Sequence, residues 1–192
     1  MTRSFWLASL IALSATAALA QDATEPDRAA VLQALDEAIP GTFLHDPLSL
    51  EWVNQGDDVR TKVVAAPELN TGQALSIRNK TRHTNPWDAA VNIPITEPVA
   101  SGDRVQVYYW LRTSKPPKGS DTASVNVFLG RNEEPYDNIV ATTLQPGSEW
   151  ELKSVTGTAG ADFPAGKLKL EFQIGSAKQT VELGPVYVSR LN

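Results

Sequence analysis

The chain has 192 residues, with 13 Pro, 12 Gly, 5 Trp, no Cys and a net charge of −5 at neutral pH. With 42% hydrophobic and 20% charged residues it describes one folded domain and a short appendage rather than a disordered chain. The lack of cysteine excludes a disulfide scaffold, a thiolate metal site and a cysteine nucleophile. Two histidines, His45 and His83, are too few for a His-rich zinc site, and the acidic balance speaks against nucleic acid as a partner.

Residues 1–20 read as a secretory signal. Arg3 supplies a basic start, Phe5 to Leu13 an apolar stretch, and Ala18-Leu19-Ala20 a small-residue cleavage site before Gln21. The expected location is therefore periplasmic or secreted. No later run is apolar enough to span a membrane. Residues 21–42 form an N-terminal helical segment. Asp27 can cap a helix near 27–39, in which Val31, Leu32, Leu35, Ala38 and Ile39 recur at helical spacing until Pro40-Gly41.

From residue 43 to 192 the pattern changes to short β-type runs. They fall near 49–53, 61–65, 74–79, 87–95, 104–112, 123–130, 137–143, 149–156, 167–174 and 180–190, between Pro, Gly, Asn and Asp breaks. The fold class is all-β: an antiparallel β-sandwich or jelly roll with one short N-terminal helix. In four runs the alternation separates two faces. Leu75, Ile77, Val105, Val107, Tyr109, Leu111, Val125, Val127, Leu129, Leu168, Leu170, Phe172 and Ile174 form an apolar set, which predicts the core.

The opposite set is Ser76, Arg78, Gln106, Tyr108, Trp110, Arg112, Ser124, Asn126, Phe128, Lys169, Glu171 and Gln173. Aromatic rings mixed with amides and guanidinium groups suit a sugar-binding surface. Rings stack on pyranose faces and planar polar groups read hydroxyls. This requires the four strands to be neighbours. Alternatively the helix lies across this face and turns Trp110 and Phe128 into a second small core. Trp52 and Trp150 are assigned to core, and Trp87, after Pro86, stands between rim and core.

From about residue 43 onward the chain resembles the carbohydrate-binding modules of families 4, 9 and 22, with a galactose-binding-like jelly roll. The resemblance is carried by Gly102 to Arg112, Gly147 to Leu152, Leu168 to Gly175, Val181 to Val188 and the loop Asn85-Pro86-Trp87-Asp88. It implies glycan binding on the polar-aromatic sheet face, through Arg78, Trp110, Arg112, Asn126 and Gln173. The ligand-binding set as a whole is Arg78, Trp87, Gln106, Tyr108, Trp110, Arg112, Asn126, Phe128, Glu171 and Gln173. The resemblance also implies a structural calcium ion held by an acidic pair in the closing strand. Gly184-Pro185 stands in that stretch here, and no cofactor is assigned.

The expected function is non-catalytic binding of a polysaccharide or oligosaccharide. Glycoside hydrolysis needs two flanking carboxylates, and the set offers only Glu171, with Asp88 at its edge. A jelly-roll polysaccharide lyase acting on a uronic-acid polymer is the enzymatic alternative, with Tyr108 as acid/base and Arg78, Arg112, Asn126 and Gln173 neutralising the carboxylate. A protein-interaction module is the third reading. Three cations on the set, Arg78, Arg112 and Lys169, favour an acidic glycan.

Overall fold

The computed structural model describes residues 25–50 and 52–191. The signal segment read at 1–20 and its cleavage site lie outside the described residues. Helix α1 spans Glu25–Ala38, so Asp27 falls inside it rather than at its cap. Val31 is exposed, while Leu32, Leu35 and Ile39 are partly covered. Gly41 then turns the chain with a positive φ of 95°. A Cβ there would sit 2.1 Å from the carbonyl oxygen of Arg190, so only glycine permits this close pass.

Among the described residues eleven strands follow: β1 (Thr42–Phe43), β2 (Val53–Gln55), β3 (Val59–Ala65), β4 (Gln73–Asn79), β5 (Ala90–Ile95), β6 (Arg104–Lys115), β7 (Val125–Arg131), β8 (Asn138–Leu144), β9 (Glu151–Thr158), β10 (Leu168–Gln173) and β11 (Gln179–Leu191). Nine of the ten runs read from the sequence overlap one of these through most of their length, while the 49–53 run meets β2 only at Val53. The two-residue β1 was too short to show a period. The 87–95 run begins instead as a 3-10 turn at Pro86–Asp88.

The strands form two antiparallel sheets. Sheet A has the order β3-β4-β11-β6-β9, with β1 also paired to β11. Sheet B has the order β2-β5-β10-β7-β8. Period-two alternation turns one face of each sheet inward. All thirteen residues of the apolar set are buried in the single large cluster between the sheets. Tyr109 of sheet A meets Phe172 of sheet B edge-on at 5.2 Å between ring centroids. Among the described residues, no helix is long and apolar enough to cross a membrane.

Candidate functional site

The four strands that the alternation grouped together do not share a sheet. β4 and β6 lie in sheet A, β7 and β10 in sheet B. Strand parity distinguishes inward from outward, but a sandwich has two outward surfaces. Arg78, Gln106, Tyr108, Trp110 and Arg112 therefore look out from one side of the molecule. Asn126, Phe128, Lys169, Glu171 and Gln173 look out from the other. The lyase constellation is divided in the same way, with Tyr108, Arg78 and Arg112 separated from Asn126 and Gln173 by the thickness of the core.

On sheet A the aromatic end is partly covered. Trp110 packs with Ala66, Leu69, Ala74, Val64 and Trp150 in a second apolar cluster. The cover is the β3–β4 turn, folded by Ala66–Gly72 and Leu69–Ala66 backbone hydrogen bonds, and not helix α1. Gly184 makes room for it, since a Cβ there would lie 2.6 Å from Leu69 and 2.8 Å from Trp110. Arg112 is also engaged. Its Nε and Nη2 both reach Glu182 Oε2 at 2.7 Å, Nη1 is 3.7 Å from Glu68, and its guanidinium lies 4.6 Å over the Trp150 ring. Tyr108 pairs across the strands with Tyr187, and Gln106 with Ser189. Among the described residues no group of three or more acidic or histidine side chains converges as a metal site. Glu182 of the closing strand is held by Arg112.

On sheet B the outward face forms a cleft of about 610 Å³ lined by Gln55, Trp87, Phe128, Asn132, Tyr136, Lys169, Glu171 and Gln173. Four of these, Trp87, Phe128, Glu171 and Gln173, belong to the ten residues read from the sequence. The floor comes from the outward residues of β10. Glu171 is 3% exposed. Its Oε1 lies 2.5 Å from Lys169 Nζ, and its Oε2 accepts from Gln173 Nε2 at 2.8 Å. The two floor charges thus neutralise each other. Beside them Asn92, opposite Glu171 in the ladder, donates to Gln55 Oε1 at 3.1 Å. Its own Oδ1 is buried with no hydrogen-bond partner among the described residues. Asn126 Oδ1 accepts from Thr143 at 2.9 Å, which leaves its amide donors outward.

Two aromatic rings rise from this floor near opposite ends of β10. Trp87, 50% exposed, sits on the Pro86–Asp88 turn. That turn is fixed by Gln55 Nε2 donating to the Trp87 carbonyl at 2.6 Å and by the Gly175 N–H donating to the Pro86 carbonyl at 2.9 Å. Tyr136, 54% exposed, stands in the β7–β8 turn at a φ of 54°. A left-handed conformation costs a non-glycine residue about 1–2 kcal/mol, and it aims the ring over the cleft rather than into a core. Sequence reading missed Tyr136, Gln55, Asn92 and Asn132, which lie in an edge strand, a turn and strands outside the four analysed. The one available signal was an aromatic residue directly after the polar Glu133-Glu134-Pro135 turn.

Phe128 owes its position to a neighbour. Its ring covers Gly130, where a Cβ would lie 2.4 Å from the ring. Gly130→Ala is therefore expected to lift Phe128 into the cleft, costing about 1–3 kcal/mol of stability from overpacking and weakening any ligand seated there. Urea unfolding and binding by the same variant check the two effects together.

No protein-family model matches the chain, and no curated protein matches its sequence. Solved structures do match its fold. A CBM4 structure is 22% identical, with a TM-score of 0.56, over 72% of this chain and 94% of that one. The N-terminal cellulose-binding domain of Cellulomonas fimi β-1,4-glucanase C is 21% identical, with a TM-score of 0.55, over 80% and 96%. The CBM22-1 xylan-binding domain of Paenibacillus barcinonensis Xyn10C is 16% identical, with a TM-score of 0.55, over 80% and 97%. The chain has the β-sandwich fold of these carbohydrate-binding modules.

Proposed function

We propose that this protein binds a polysaccharide chain in the sheet B cleft and does not cleave it. The observation that carries this reading is a pair of exposed rings, Trp87 and Tyr136, standing over a floor of hydrogen-bonding side chains. The rings offer flat apolar faces to pyranose rings. Gln55, Asn132 and Gln173 of the lining offer donors and acceptors to hydroxyls. The fold neighbours named as cellulose- and xylan-binding support the same class of ligand. Because Lys169 and Glu171 cancel, the cleft itself suits a neutral glycan. One carboxylate, already tied to Lys169 and Gln173, does not provide the acid and base pair of a glycosidase. Export by the N-terminal signal would place the protein where such polymers occur.

Affinity electrophoresis against soluble β-glucan and xylan, with reducing-sugar assays in parallel, tests the reading. The parent protein should be retarded by at least one of these polymers and should release no sugar. An aromatic anchor contributes about 2 kcal/mol or more, so Trp87→Ala and Tyr136→Ala should each weaken binding roughly thirtyfold. Trp110→Ala, on the covered face, should destabilise the protein without this loss. Retardation unchanged in a Trp87→Ala/Tyr136→Ala double variant would remove the cleft as the site.

A further inference from the structure

The side of the sandwich opposite the cleft carries a row of cations that the glycan-binding reading leaves unused. In the ladders of sheet A, Arg60 of β3 pairs with Arg78 of β4, Arg78 with Thr180 of β11, and Thr180 with Lys115 of β6. These residues form one line across four strands, outward at Arg60 and Arg78, with Lys115 brought into it by the bulge between Thr180 and Val181. With strands about 4.8 Å apart, the line is roughly 14 Å long. Lys62 lies in the adjoining row, opposite Ser76. Arg60, Lys62, Arg78 and Lys115 are all exposed. Among the described residues none of the four has a carboxylate within ion-pair distance. Glu182, in the adjoining row, is taken by Arg112, which also lies 3.7 Å from Glu68 of the β3–β4 turn.

Like charges directly opposite in a ladder destabilise the pair. The Arg60–Arg78 pair also persists in a chain of net charge −5. Arg60 anchors one guanidinium nitrogen, Nη1, on the carbonyls of Asp57 and Val59, both at 2.7 Å, which holds its remaining donors outward. A bound anion would convert the repulsion into two charge-assisted contacts.

We propose that this row is a second binding site, for the carboxylates of a uronic-acid polysaccharide. An extended polymer feels the row only within a Debye length of about 8–10 Å, so the acidic charge of the rest of the protein does not repel it. A broad anionic membrane would meet that overall charge. A single-stranded nucleic acid would need exposed stacking rings along the row; Trp110 and Trp150 are packed together under the β3–β4 turn, and Tyr108 pairs with Tyr187 seven residues along β6 from Lys115. The protein would then hold an acidic chain on one sheet and a neutral chain on the other.

Affinity gels and thermal melts with polygalacturonate test the proposal, with neutral β-glucan, an oligothymidylate and anionic phospholipid vesicles as the other arms. Polygalacturonate should retard the parent at low salt, lose that effect at high salt, and raise its Tm. The Arg60→Ala/Arg78→Ala variant should fold with an unchanged or higher Tm, bind polygalacturonate at least tenfold more weakly, and keep any β-glucan binding. Arg60→Lys/Arg78→Lys should lie between the two. Trp87→Ala should bind polygalacturonate as the parent does, whether or not the cleft binds glucan. Three outcomes overturn the proposal: no retardation by polygalacturonate, retardation lost in Trp87→Ala but kept in the arginine variant, or tighter binding to the oligonucleotide or the vesicles.

Discussion

Lowering the pH from 7 to 4 is expected to remove about 3 kcal/mol of stability through one side chain, His45. His45 is 7% exposed, and its Nε2 accepts a hydrogen bond from the Val188 backbone N–H at 3.2 Å. Burial lowers its pKa from 6.5 to about 4, against smaller opposing effects from Asp46 and the Val186 backbone. The folded state therefore refuses a proton that the unfolded chain takes up below 6.5. The contribution is complete above pH 6.5 and is lost as the pH falls through 4. Protonation also leaves the Val188 N–H without an acceptor where β11 passes His45. Urea titrations at several pH values should show this loss in the parent. His45→Gln keeps an acceptor and cannot be protonated, so it should show a much shallower acid slope. Equal slopes for the two proteins would exclude His45 as the cause.

Phe172→Ala is expected to cost about 3–5 kcal/mol, a large part of the stability of a single domain. Phe172 is fully buried and packs edge-on against Tyr109 of the facing sheet. The Tyr109 hydroxyl is itself held in apolar surroundings that push its pKa up to about 12. Truncation leaves a cavity between the sheets that neither backbone can fill without moving. Phe172 lies between Glu171 and Gln173, so one strand carries both the centre of the core and the floor of the cleft. Phe172→Leu should cost less, about 1–2 kcal/mol, because much of the volume remains. Chemical denaturation of the three proteins gives the order.

The sequence revealed the core more fully than the site, for a physical reason. A period of two states which residues of a strand face together, and Leu75, Val107, Val127 and Leu170 accordingly meet in one core. It carries no information on which sheet a strand joins. Arg78 and Trp110 were therefore grouped with Phe128 and Gln173, although the core separates them. Sheet membership arises from pairings such as β4 with β11, set by contacts distant in sequence. The cover on Trp110 was hidden for a similar reason: Leu69 looks like an ordinary turn residue until the turn folds back over β6. Trp87 was half legible: Pro86 marks its turn, but nothing local decided between rim and core. Tyr136 was not legible, because its exposure follows from a left-handed backbone that the sequence does not announce. His45 has no distinguishing neighbour at all.

The position of β11 has a kinetic consequence. This strand pairs with β1, β4 and β6, yet it is synthesised after all of them. Until it emerges, β4 and β6 have open edges of the kind that recruit other chains. Such non-local closure places the protein among slow folders, in the millisecond-to-second range. The growing chain therefore carries these open edges, with their tendency to aggregate, until residues 179–191 close the sheet.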